Sequence, residues 1–126
     1  MNRYELTVEV RPEYLHASVT GDRTADNVFR FLREAYEACV ENEKSRLLLE
    51  IRLTGSRLGT LGIYRVISER SADGARLRRI AYVEDPLDHV EEARFAETVA
   101  LNRAVNVRLF TDVSEAARWL DGDLDT

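Results

Sequence analysis

The rhythm of apolar residues changes after the first twenty positions, and that change constrains the fold more than any other feature of this sequence. Tyr4, Leu6, Val8 and Val10 alternate strictly with Glu5, Thr7, Glu9 and Arg11. Period-2 alternation of this kind predicts a strand with one buried and one solvated face. After a turn at Arg11-Pro12-Glu13 the pattern resumes, with Leu15, Ala17 and Val19 set against His16, Ser18 and Thr20. Two such strands on a short connection predict an antiparallel hairpin. Beyond Gly21 the period becomes helical. Val28, Phe31 or Leu32, Ala35 and Cys39 recur on one face, with Thr24 placed as an N-cap.

From there strands and helices take turns. Leu47-Leu48-Leu49-Glu50-Ile51 is short and nearly continuous, which predicts a strand covered on both faces. A loop over Arg52 to Gly59 leads into a helix carrying Leu61, Ile63, Tyr64, Val66 and Ile67. Ile80-Ala81-Tyr82-Val83 predicts a fourth strand, and a third helix follows with Asp88 as cap and Phe95, Ala96, Val99 and Ala100 as its apolar face. Val105 to Phe110 predicts the last strand. A short final helix opens with Asp112 and Glu115 at capping-box spacing and buries Val113, Ala116 or Ala117, Trp119 and Leu120. The order β-β-α-β-α-β-α-β-α predicts an α/β fold. Right-handed crossovers then give a mixed, largely parallel sheet of about five strands with one antiparallel edge. No linker or repeat divides the chain, so residues 1–120 read as one domain and 121–126 as an acidic C-terminal tail.

Composition narrows the function classes. A chain of 126 residues with 44% apolar content can bury roughly two-thirds of its unfolded surface without a staple. A single cysteine allows no internal disulfide and no cysteine-rich zinc site. The formal charge of −5 argues against nucleic acid as a partner. No apolar run has the length of a membrane span, and Met1 to Glu5 does not read as a signal peptide, so the expected location is cytoplasmic.

Catalytic and metal-binding patterns are weak. His16 and His89 stand far apart, and neither sits in a metal-binding motif. His16 reads as a solvated side chain on the open face of its strand, and His89 as a first-turn helix residue. Cys39 occupies a core-facing slot with nothing near it to activate the thiol. The carboxylates from Glu84 to Glu97 lack calcium-loop spacing, and Arg65, Arg70, Arg76, Arg78 and Arg79 read as a solvated basic face. No enzyme, cofactor or metal is expected.

The segment between the third strand and its helix is the best-placed candidate site. Ligands in open α/β sheets bind at the carboxyl ends of strands, where helix N-termini present free N–H groups. Thr54, Ser56 and Thr60 put hydroxyls there, Gly55 and Gly59 allow close backbone approach, and Arg57 and Tyr64 flank them.

The hairpin opening, the Leu47 to Arg52 strand, Ile80-Ala81-Tyr82-Val83, and the closing stretches Phe95 to Arg103, Val107 to Phe110 and Ala116 to Leu120 carry a resemblance over nearly the whole chain. The chain resembles the SpoIIAA-like group of small STAS-type domains, a group also compared with lipid-binding CRAL-TRIO domains. The resemblance implies a STAS-like fold and a non-enzymatic regulatory module that docks on a protein partner. In anti-sigma-factor-antagonist relatives a serine in the strand–helix loop is phosphorylated. That loop matches positions 54 to 60, which makes Ser56 the first choice, with Thr54 and Thr60 behind it. Here Thr54-Gly55-Ser56-Arg57 stands where that group carries Asp-Ser-Ser-Gly.

Two functions follow as expectations. The first is a regulatory module acting through the 54–60 loop on a protein partner of unknown identity. The alternative is a carrier or sensor of a small apolar or anionic ligand, to which Phe29, Tyr36, Tyr64 and Phe95 would contribute aromatic surface. A pocket of useful size needs roughly 300 Å3, much for so small a core. The hairpin also leaves a free edge that allows a homodimer, although Glu9 and Arg11 near its turn oppose strand pairing.

Overall fold

The structure is a computed structural model and describes residues 3–55, 59–84 and 90–122. Its strands are β1 (Tyr4–Val10), β2 (Leu15–Asp22), β3 (Arg46–Thr54), β4 (Arg79–Val83) and β5 (Val107–Phe110). Its helices are α1 (Ala25–Glu41), α2 (Gly59–Gly74), α3 (Val90–Asn102) and α4 (Val113–Leu120). The strands form one sheet in the order β1-β2-β3-β4-β5. β1 pairs with β2 antiparallel, and the remaining neighbours are parallel. The expected mixed sheet with an antiparallel edge is thus present, in the expected element order.

Strict sequential order has a geometric consequence. Parallel strands laid down in one direction by right-handed crossovers place every crossover element on the same face. α1, α2 and α3 therefore share one side, where Leu15, Ala17, Val19, Leu47, Leu49, Ile51 and Ile80 meet Phe31, Ala35, Cys39 and Ala100. The opposite face is left to α4, whose Ala116, Trp119 and Leu120 pack on Leu48, Ala81 and Val83. Because Leu47, Leu48 and Leu49 are all buried, β3 is covered on both sides, as its continuous apolar run predicts.

Local chemistry fixes the helix ends. The Thr24 hydroxyl accepts from Asn27 N–H at 3.1 Å, and the Asp112 carboxylate accepts from Ser114 N–H at 2.9 Å. Both are the expected N-caps. Asp88 and His89, also read from the sequence, lie outside the described residues. Asp121 ends α4 by donating its N–H to Ala117 O. No described helix is long and apolar enough to cross a membrane.

Two sequence readings need correction. The β1 alternation is real, but Tyr4 and Leu6 alone pack on the core, while Val8 and Val10 stay 42% and 51% exposed. α1 covers only the first half of that strand. His16 is no solvated side chain: its Nε2 lies 2.9 Å from Glu50 Oε1, and its side chain is 16% exposed.

Candidate functional site

The parallel strands all end at one edge of the sheet, and the residues immediately after them meet there in one hydrogen-bonded cluster. Arg23 follows β2, Gly55 follows β3 and Glu84 follows β4. Arg23 Nη2 meets Glu84 Oε2 at 2.7 Å, and both side chains are nearly buried. The same guanidinium donates to Leu53 O at 3.1 Å and Gly55 O at 3.2 Å. Its backbone N–H donates to Thr54 O at 2.7 Å. Tyr82 adds its hydroxyl to Glu84 Oε1 at 3.1 Å. Burial raises the Tyr82 phenol above its ordinary value, and the neighbouring Glu84 carboxylate adds to that, so it remains a donor.

Beneath this polar end, between the sheet and α1–α3, lies an apolar cavity of about 150 Å3. α1 contributes Leu32 and Tyr36, α2 contributes Val66 and Ile67, and the sheet contributes Leu53 and Tyr82. On this side α3 presents the short side chains of Ala93, Ala96 and Ala100 beside Glu97. These short side chains are why the three helices do not close over the sheet. Arg23 and Glu92 also line the space, and Arg70 stands at its wall with its guanidinium 3.6 Å from the Phe29 ring centroid. Burial pushes the Tyr36 phenol up as well, so the cavity presents no anionic tyrosine at neutral pH.

The residues expected in the 54–60 loop are only partly brought into this arrangement. Thr54 closes β3, and Gly55 turns the chain at φ +107°, a conformation that favours glycine. Gly59 and Thr60 open α2 and Tyr64 lies within it, with side chains outside the described part. Ser56 and Arg57 lie outside the described residues. Of the aromatic candidates for ligand contact, Tyr36 lines the cavity, Phe29 supports Arg70, and Phe95 does not reach it. Arg23 and Glu84 were not singled out by sequence reasoning. Their place directly after two central strands is the signal that could have found them.

Of the arginines read as a solvated basic face, Arg65, Arg76 and Arg78 are exposed, while Arg70 and Arg79 are partly buried. Arg70 is taken up by Phe29 O and the Phe29 ring, Arg79 by Trp119, and Arg65 by Glu69. Cys39 is fully buried, and burial pushes its thiol up to about 12, so it is a core residue as expected. Among the described residues no cluster of histidine, cysteine and carboxylates could hold a metal. On the other face, a shallow polar groove runs past Glu50, Arg52, Thr111 and Asp112. Glu50 is already engaged by His16, Ser18 and Arg52, which makes this a paired surface.

A five-stranded sheet with an antiparallel edge and helices on both faces is a mixed α/β fold. The SpoIIAA-like family model matches residues 14–121, and the chain belongs to that family. Among solved structures it is similar to an uncharacterized protein of the DUF3478 family with a SpoIIAA-like fold from Shewanella loihica PV-4. Identity is 15%, 95% of each chain is covered, and the TM-score is 0.59. No curated protein matches the chain.

Proposed function

We propose that this protein is a regulatory binding module that takes a small apolar molecule into the cavity under α1–α3 and reports it through the 54–60 segment. The observation that carries this reading is Arg23, which lines the cavity while holding the Leu53 and Gly55 carbonyls at the start of that segment. A ligand pressing on the Arg23–Glu84 pair would alter how the strand–helix connection is held, and that connection is the surface offered to a protein partner. The polar groups at this end satisfy one another, which supports a neutral apolar occupant over an anion. A cavity of about 150 Å3 suits something of benzene size, since apolar cavities of that order stay dry and bind such molecules. Larger ligands of roughly 300 Å3 need α3 to move outward.

Titration with benzene and with hexanol, followed by amide and methyl NMR shifts, tests the reading. Saturable shifts are expected at Leu32, Ile67 and Ala96, with smaller ones at Gly55. Ala96→Leu, which fills the space, abolishes them while leaving the fold intact. Unchanged spectra with both probes, together with no small molecule released on denaturing protein taken from its own cells, would overturn it.

A further inference from the structure

β1 is the outer strand of the sheet, and its hydrogen-bonding pattern shows which groups face outward. Arg11 N–H donates to Tyr14 O and Asp22 N–H to Arg3 O, so the odd-numbered residues of β1 pair with β2. The N–H and C=O groups of Leu6, Val8 and Val10 therefore point to the free edge. On the helix side the same stretch carries uncovered apolar surface. Val8 is 42% and Val10 51% exposed. An edge strand with free ladder groups and exposed valines invites another strand.

We infer that the occupant is β1 of a second copy of this chain, joined antiparallel about a twofold axis at Val8 to make one continuous sheet. The charge pattern supports this partner and favours this register over the one shifted by a residue to Thr7. With Val8 opposite Val8, Leu6 faces Val10, Thr7 faces Glu9, and Glu5 faces Arg11 of the second copy. Even residues meet even residues, so every pair directed across the edge is a hydrogen-bonded one, and Glu5 and Arg11 fall in a closely spaced non-hydrogen-bonded pair. A dyad at Thr7 instead sets Glu5 against Glu9 in both halves, a repulsive arrangement. Arg11, bonded to Glu9 at 2.5 Å within one chain, is thus a recognition residue and no deterrent to pairing. Both copies keep α1 on the same side, so Leu6, Val8 and Val10 from each line up in one apolar strip. This inference is independent of the ligand reading.

Sedimentation velocity of the intact protein over a concentration series up to the order of 0.5 mM tests it, within the range where weak interfaces populate dimers. The expected result is a monomer–dimer equilibrium in the wild type. Val8→Pro removes an outward N–H that β2 does not use, so the fold survives and the dissociation constant rises by about tenfold or more. Glu5→Arg also weakens the dimer by placing Arg against Arg11, and Glu5→Arg combined with Arg11→Glu restores it. A monomer at every concentration would overturn the inference, as would a dimer indifferent to Val8→Pro. Tighter association of Glu5→Arg would overturn it too, since that is the signature of the Thr7-centred register. Should Val8→Pro fail to fold, the charge exchange decides the matter alone.

Discussion

Arg23 and Glu84, separated by 61 positions, meet at 2.7 Å across the end of β3 and tie the end of β2 to that of β4. The Arg23 fork reaches the carbonyls of Leu53 in β3 and of Gly55 just after it, so one guanidinium joins three strand ends. A planar five-donor group does this, and a lysine ammonium cannot.

Arg23→Ala should therefore cost about 3 kcal/mol of unfolding free energy, because it removes the charge paired with a buried carboxylate. Arg23→Lys should recover less than half of that loss. Arg23→Met combined with Glu84→Leu, which removes both charges, should be milder than Arg23→Ala. Urea denaturation of the three variants measures the differences, and equal losses in all three would contradict the pairing.

On the other face, Glu50 contributes to acid stability. Burial acts to raise its carboxyl, but hydrogen bonds from His16 and Arg52 outweigh that and hold it below the ordinary value. A carboxyl depressed in the folded state stabilises the protein above its unfolded value and loses that contribution as pH falls through the folded one. Wild-type stability should accordingly fall below about pH 4.5, the ordinary glutamate range. Glu50→Gln should lower stability by about 1 kcal/mol at pH 7 and flatten the acid limb. Thermal melts between pH 3 and 7 provide the check, and an unchanged acid limb would refute the assignment.

Gly21 has a backbone requirement. Its φ is +130°, and a Cβ there would sit 2.3 Å from Arg3 O and 2.6 Å from Tyr4 Cα. Both obstacles are backbone, so neither can swing away. Gly21→Ala should cost about 2 kcal/mol or more and loosen the open end of the hairpin first. Hydrogen exchange should show faster exchange at Glu5 and Asp22 than in β3, and a neutral substitution would show that the hairpin end is not held as described.

The fold was legible because each element announces itself within a short window. Alternation marks β1 and β2, the run Leu47 to Ile51 marks β3, and Thr24 and Asp112 mark helix starts by side-chain chemistry alone. The site was legible only at the level of its address. Gly55 and Thr54 do lie at the strand end, but the groups that organise it, Arg23 and Glu84, belong to different windows and show no shared spacing. His16 was misread for the same reason, its partner Glu50 being on the neighbouring strand. Asn27, in the first turn of α1, is fully buried and donates its amide N–H to Asp22 O at 2.9 Å, a pairing its own stretch of sequence does not show. Likewise, a cavity is a property of how α3 alanines oppose α1 aromatics, which no single helix reveals.

The strand order carries one more implication, for how the chain is made. Among the described residues, strands pair only with their neighbours in sequence. A polypeptide leaving the ribosome can consequently add each new strand to a growing edge, with no early segment waiting for the last one before it finds a neighbour. Until β3 arrives, however, the hairpin bears two open margins. During those seconds of synthesis, Val8 and Val10 are exposed beside a neighbour just as unfinished, and crowded nascent chains on one messenger would be the setting in which mispairing is most frequent.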